Sequence, residues 1–320
     1  MDELSALAAL RFDWADTPDH VWRDSPYHVD GLHTGVLTQV SAGIKEAVAS
    51  DGPSPIGLVL QGKKGVGKTH LLGLVRKQAH GARGYFFLND LTAGDAFWEN
   101  TAEAMRRGLS RLDGSGVPQL TSFLRRVCLR ASIDANVTKK ILDGRGLSRG
   151  DVDTFVEGLR AFDRDVAREC ADTARALVLY ASEDPSKNYV GDDYLGVFPE
   201  SKSGDRRKWG IRSDPKSAKT QVRNITRLLA LTGPIVIAVD QLDTLVARSA
   251  VSFQKVRDSD EQDLLVAQIA DGLMGLREAT KRTMTVLACL PGTWELLKEK
   301  ATDTVPDRFR EALILGRVRD

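Results

Sequence analysis

Ile56-Gly57-Leu58-Val59-Leu60-Gln61-Gly62-Lys63-Lys64-Gly65-Val66-Gly67-Lys68-Thr69 is the stretch whose reading decides the rest of this chain. Ile56–Gln61 is a short apolar run held between Pro55 and Gly62, the length of a strand buried on both faces of a parallel sheet. After Thr69, Leu71, Leu72 and Val75 recur at helical spacing, which predicts a helix over His70–Gln78. Between strand and helix, Gly62–Thr69 fits G-x-x-x-x-G-K-[ST] at every fixed position. Each residue type has a reason. Glycines let successive backbone N–H groups turn toward one point, and the N-terminus of the next helix adds its positive end. Lys68 reaches the β- and γ-phosphates of a triphosphate, and the Thr69 hydroxyl is a ligand for magnesium. The expected phosphate contacts are Gly62, Lys63, Lys64, Gly65, Val66, Gly67, Lys68 and Thr69, with ATP and Mg2+ as ligands. His70 joins them by position only; a place in the first turn of the helix is its plain reading.

Outward from this loop the chain alternates. Val36, Leu37, Val40, Ile44 and Val48 predict an amphipathic helix before the first strand. Further strands are expected at Gly84–Leu88, Ile235–Val239, Met284–Leu290 and Ala312–Leu315. Leu265, Ile269, Leu273 and Leu276 mark a long helix, and Trp294–Lys300 a short one. Strands alternating with helices imply an α/β fold: three layers around a parallel five-stranded sheet. Far more sequence separates Lys68 from Asp240 than two or three strand–helix units need. Residues 96–213 are therefore read as a large, mostly helical insertion. The core then comprises 34–95 and 214–320, preceded by an irregular lead-in over 1–33. Pro118 suits the start of one insertion helix, and Ser148 or Asp151 the start of another. Residues 183–213 read as a polar loop, and Asp214-Pro215 as the cap of the following helix.

A phosphate loop of this kind needs a carboxylate on a nearby strand to hold magnesium. Asp240, closing Ile235-Val236-Ile237-Ala238-Val239, is the natural candidate. An ordinary aspartate at a strand end is the plain alternative.

With both motifs in place, Gly62–Thr69 and Asp240-Gln241-Leu242-Asp243, the chain resembles the P-loop NTPases of the AAA+ and STAND classes, close to origin-recognition-like and STAND signalling ATPases. The resemblance runs from about residue 26 to 318 as an order of elements, but its diagnostic residues lie in the two motifs. It implies a P-loop NTPase core, with Lys68, Thr69 and Asp240 holding Mg·ATP. AAA+ members usually carry glutamate after the magnesium aspartate, where it polarises the attacking water. This chain has Gln241, whose amide orients water but accepts no proton as a carboxylate does. Asp243 matches the additional acid of the STAND pattern, and Asp90 is a third candidate for the role. Thr285 and Thr293 lie near the place of a γ-phosphate sensor without matching it cleanly. Asp307-Arg308-Phe309-Arg310 looks like the arginine box, in which Arg308 would act in trans on a neighbouring subunit; a surface arginine in a turn explains it as well. His28 and Val29, with Trp22 and Tyr27, lie where the resembling families contact adenine; local packing against the sheet accounts for them equally. No [NT]KxD guanine signature follows the fourth strand, which favours ATP over GTP. The resembling proteins continue into a helical lid, so the expectation is an N-terminal portion of a longer polypeptide or a family member stripped to its core.

Bulk properties are compatible with this. The chain has 320 residues, 42% hydrophobic and 28% charged, with a formal charge of +1. Near-neutrality argues against a wholesale nucleic-acid coat. Lys202, Arg206, Arg207, Lys208, Arg212, Lys216, Lys219, Arg223 and Arg227 nevertheless cluster around Trp209, so residues 202–227 are either a nucleic-acid contact or a solvated basic segment. Cys128, Cys170 and Cys289 form no CxxC and read as reduced core thiols. The acidic N-terminus is no signal peptide, and no apolar run reaches the ~20 residues of a membrane helix. The expectation is a cytoplasmic ATPase, a switch or motor subunit in a homo-oligomer or complex. The alternative is an ATP-sensing domain without turnover that regulates a C-terminal effector, as in signalling or phage defence. A small-molecule kinase is a weaker third reading, for want of a second substrate signature.

Overall fold

Period-two alternation sorts the side chains of four apolar strands onto two faces, and each face is covered by helices. The structure is a computed structural model; it describes residues 18–23, 31, 33–50, 54–55, 57–91, 96–251, 259–300 and 308–316. The strands are β1 (Leu58–Gln61), β2 (Tyr85–Asp90), β3 (Ile235–Asp240), β4 (Thr283–Cys289) and β5 (Leu313–Ile314). They form one sheet in the order β2-β3-β4-β1-β5, and every pairing is parallel. The fold is therefore α/β with an all-parallel five-stranded sheet, as the sequence predicts.

On one face, Leu58, Leu60, Phe86, Leu88, Val236, Ala238, Met284 and Val286 pack with helices α1 (Thr34–Ala49) and α2 (Lys68–Gly81). Val21 of a 3-10 turn, Pro18–Trp22, joins them, and Trp22 meets Phe86 edge to face at 5.5 Å. The opposite face carries Val59, Tyr85, Phe87, Ile235, Ile237, Val239, Leu287 and Cys289. Its helices follow β2: α3 (Phe97–Leu109), α4 (Gln119–Arg130), α5 (Ala135–Asp143), α6 (Arg149–Phe162), α7 (Arg164–Tyr180), α8 (Pro185–Leu195), α9 (Asp205–Lys208) and α10 (Ala218–Ala230). After β3 come α11 (Leu242–Val251) and α12 (Ser259–Ala279), and after β4 comes α13 (Pro291–Lys300).

The helix starts resolve by local chemistry. Ser148 and Asp151, offered as alternatives by sequence, act together: each side chain accepts from the other's backbone N–H, a reciprocal capping box. Two expectations fail. The span 183–213 contains α8 and α9 rather than an unbroken loop. Asp184 caps α8 by accepting the Ser186 N–H at 3.0 Å, and Pro185 fills the first turn. The helix was hidden because Gly191 interrupts its apolar pattern. A Cβ at Gly191 would lie 2.5 Å from the backbone of Ala176 and Tyr180, so glycine is there for the close approach to α7. Asp214-Pro215 likewise does not start α10. Ser217 does, accepting the Thr220 N–H at 3.2 Å, while Asp214 pairs with Arg206 at 2.8 Å.

Edge strand β2 is closed by a side chain. The fully buried Gln119 amide accepts from Phe86 N at 2.7 Å and donates to Phe86 O at 2.9 Å, mimicking a paired strand. It also donates to Gly108 O at 2.8 Å. Replacement of Gln119 by leucine leaves buried backbone groups of β2 without partners, each worth about 1–3 kcal/mol. The expected outcome is a destabilisation of roughly 2–4 kcal/mol, read from the urea midpoint; an unchanged midpoint would refute this role.

Candidate functional site

The loop between β1 and α2 is shaped by its glycines. Gly65 and Gly67 have φ of +82° and +89°, a region that only glycine enters freely. A Cβ on Gly62 would collide with the Val66 side chain. The loop begins beside the end of β4, where Gly62 N donates to Cys289 O at 3.2 Å. It ends on Gly67, whose carbonyl accepts from Leu71 N at 2.9 Å as the first bond of α2. No acidic residue stands in the first turn of α2, so no side chain competes with an incoming anion for its unpaired N–H groups. Lys68 folds back over the loop, its ammonium donating to Gly62 O at 2.8 Å and Lys63 O at 3.4 Å. Lys63 and Lys64 are exposed.

Asp240 ends β3 on the same face of the sheet as α2, in step with Val236 and Ala238. One strand, β4, lies between it and β1. The Thr69 hydroxyl donates to Asp240 Oδ2 at 3.4 Å, joining residues 171 apart in sequence. The other oxygen accepts from Gln241 N at 2.8 Å. Asp240 is only 7% exposed. Burial raises its pKa above the ordinary carboxylate value, against the pull of the Gln241 N–H, the Lys68 ammonium and the Thr69 hydroxyl; Asp243 adds to the rise.

These residues fit a magnesium–triphosphate complex. A Cβ at Gly65 or Gly67 would meet nothing within 4 Å, so glycine is needed there for its positive φ and not for want of space. Among the described residues no group of three or more His, Cys, Asp and Glu side chains gathers to hold a metal by itself. Thr69 and Asp240 offer two oxygens, and phosphates and water would complete the six that magnesium prefers.

The remaining candidates are placed unequally. Gln241 adopts φ +62° at the turn from β3 into α11, an uncommon conformation for a non-glycine residue. Its side-chain amide makes no hydrogen bond among the described residues. Asp243, in the first turn of α11, accepts from Leu290 N at 2.8 Å and ties that helix to the end of β4. Asp90 is the register partner of Asp240, and Arg107 faces it at 3.3 Å. Thr285 pairs with Ile237, three residues short of Asp240, and so stands mid-strand. Thr293 is buried in the first turn of α13, just beyond β4. His70 is half-buried in the first turn of α2. Arg308 lies elsewhere. Its carbonyl accepts from Gly57 N at 2.8 Å and its guanidinium meets Glu278 at 3.1 Å. Gly57 precedes β1 and the loop follows it, so Arg308 is roughly 16 Å from its own loop at ~3.3 Å per residue. His28 and Val29 lie outside the described residues.

Sequence reasoning did not find Leu290, because a main-chain donor has no side-chain signature. Cys289, read from sequence as a reduced core thiol, is free and buried; it is the register partner of Gln61 at the loop's root, and burial pushes its thiol up to about 12. Compared with protein-family models, curated proteins and solved structures, the chain matches none of them. Among the described residues no helix is long and apolar enough to cross a membrane.

Because the folded pKa of Asp240 lies above the ordinary 3.8, its contribution to stability falls as pH rises through that raised value. The ionised carboxylate thus costs stability at neutral pH until a cation meets it. Asp240→Asn should raise the melting temperature of the ligand-free protein at pH 7, by about 1.5 °C for each kcal/mol gained in a chain of this length. The same variant should lose any magnesium-dependent stabilisation by ATP. A variant that melts lower without ligand would contradict the assignment.

Proposed function

We propose that the chain is a Mg·ATP-binding ATPase module of the AAA+/STAND kind, a nucleotide-dependent switch or motor subunit with slow turnover. The observation that carries this reading is the contact of Thr69 with Asp240, beside a lysine poised over a glycine loop. A strand-end carboxylate brought from the far side of a helical insertion to that one hydroxyl is hard to account for as packing alone. Magnesium, when bound, would neutralise charge on the β- and γ-phosphates. Lys68 would exchange the carbonyls of Gly62 and Lys63 for phosphate oxygens, and the loop N–H groups would surround them. Thr69 and Asp240 would hold the metal. Gln241 would orient water without taking its proton; the carboxylates left near that point are Asp243, with one oxygen committed to Leu290 N, and Asp90, which faces Arg107. Arg308 would act only on a neighbouring subunit, after release from Glu278.

That same pair of residues favours a second reading. An amide where a base is wanted, and an acid already holding a backbone N–H, suit an ATP-sensing domain that binds without turnover and regulates an effector. Comparison of phosphate release with Lys68→Ala separates the two. Under the first reading Lys68→Ala weakens ATP binding at least tenfold and abolishes release; under the second, the wild type binds ATP yet releases no more phosphate than the variant. Gln241→Glu supplies the missing base and should accelerate release about 100-fold, the lower end of general-base effects. No acceleration in a variant that still binds ATP would exclude Gln241 from the water position.

A further inference from the structure

A cavity of about 540 Å³ opens between the helical insertion and the segment that follows it, lined by α6, α7, Tyr194 of α8 and the first turns of α10. It shares no residue with the Gly62–Thr69 loop. Its charges are unevenly employed. Glu169 is paired with Arg227, and Asp214 with Arg206. Asp172 accepts from the backbone N–H groups of Arg212 and Ser213 and from the Ser213 hydroxyl. By contrast, four lining cations, Arg164, Arg212, Lys216 and Arg223, are exposed and have no carboxylate partner among the described residues. The acids are spent and these cations are not.

The floor is polar and buried. Gln221 is 1% exposed and Asn224 7%. Asn224 donates to Thr173 Oγ1 at 3.2 Å, yet its carbonyl oxygen is buried with no hydrogen-bond partner. Such an acceptor is costly to leave unmet. We propose that this cavity is a second binding site, for a small phosphorylated ligand of about nucleotide size. The four cations receive its phosphates, and the volume falls within the range of small-molecule sites.

A nucleic-acid strand fits less well. Of the basic residues clustered around Trp209, Arg206 and Arg227 are held in ion pairs with Asp214 and Glu169, and Lys208 pairs with Asp205. Trp209 is half-buried under Lys187 and packed on the core rather than free to stack. Arg212, Lys216 and Arg223 converge on one concavity instead of tracking a groove.

The test is calorimetric titration of the full chain with inorganic pyrophosphate, which engages the charges of either site. Wild type should show two classes of site, one lost in Lys68→Ala and the other weakened at least tenfold in Arg212→Glu/Arg223→Glu. Both replaced residues are exposed, and an unchanged melting temperature in the double variant will show that it folds. A single class of site, abolished by Lys68→Ala and untouched by the double substitution, overturns the proposal. So does a second outcome: the double variant loses affinity for a single-stranded oligonucleotide but keeps both classes of pyrophosphate site, which assigns the cations to a nucleic-acid surface.

Discussion

A carboxylate is buried at the end of a wholly apolar strand, and much of the architecture follows from what that requires. Asp240 is 7% exposed, with its own strand buried along its length. An ion there needs partners, and they come from three directions: the Gln241 N–H after the strand, the Thr69 hydroxyl from α2, and the field of Lys68. For Thr69 to reach it, α2 must lie on the face of the sheet to which Asp240 points. The strand order places β4 between the two motifs, and side-chain parity in β3 sets the face. A one-residue slip in β3 would turn Asp240 to the other face and separate the pair.

The sheet was legible in the sequence because its strands are short apolar runs punctuated by glycine, proline and aspartate, and a buried parallel strand has little freedom to look otherwise. The loop was legible because backbone geometry restricts its glycines. The Thr69–Asp240 meeting was legible only as chemistry, from what each residue type is good for. What escaped depended on tertiary contact. Helix α8 breaks its own apolar pattern at Gly191 because α7 passes close by. Asp214 looks like a cap but is drawn to Arg206. The Leu290 N–H that holds Asp243 leaves no mark on residue identity. Arg308 carries a recognisable local motif, yet the sequence alone does not tell which end of the sheet it occupies.

The basic segment shows why charge counting has limited power. In sequence, its cations appear as one cluster around Trp209. In the fold they divide by partner: Arg206 and Arg227 tie the insertion to the segment that follows it through Asp214 and Glu169, Lys208 stays with Asp205, and Arg212, Lys216 and Arg223 face a common concavity. Helix α10 carries part of that concavity at its start and leads at its other end, through Thr232-Gly233-Pro234, directly into β3. The element that borders this cavity is thus continuous in the chain with the strand that presents Asp240.

Gln119 has a consequence for how this molecule meets its own copies. A parallel sheet normally leaves two outer rows of backbone donors and acceptors, each a template for another strand. On the β2 side, a single amide occupies the row at Phe86, sealed in place by Gly108. Recruitment of a foreign strand there would first have to evict a fully buried side chain. At Phe86 the β2 flank is therefore guarded against lateral growth of the sheet.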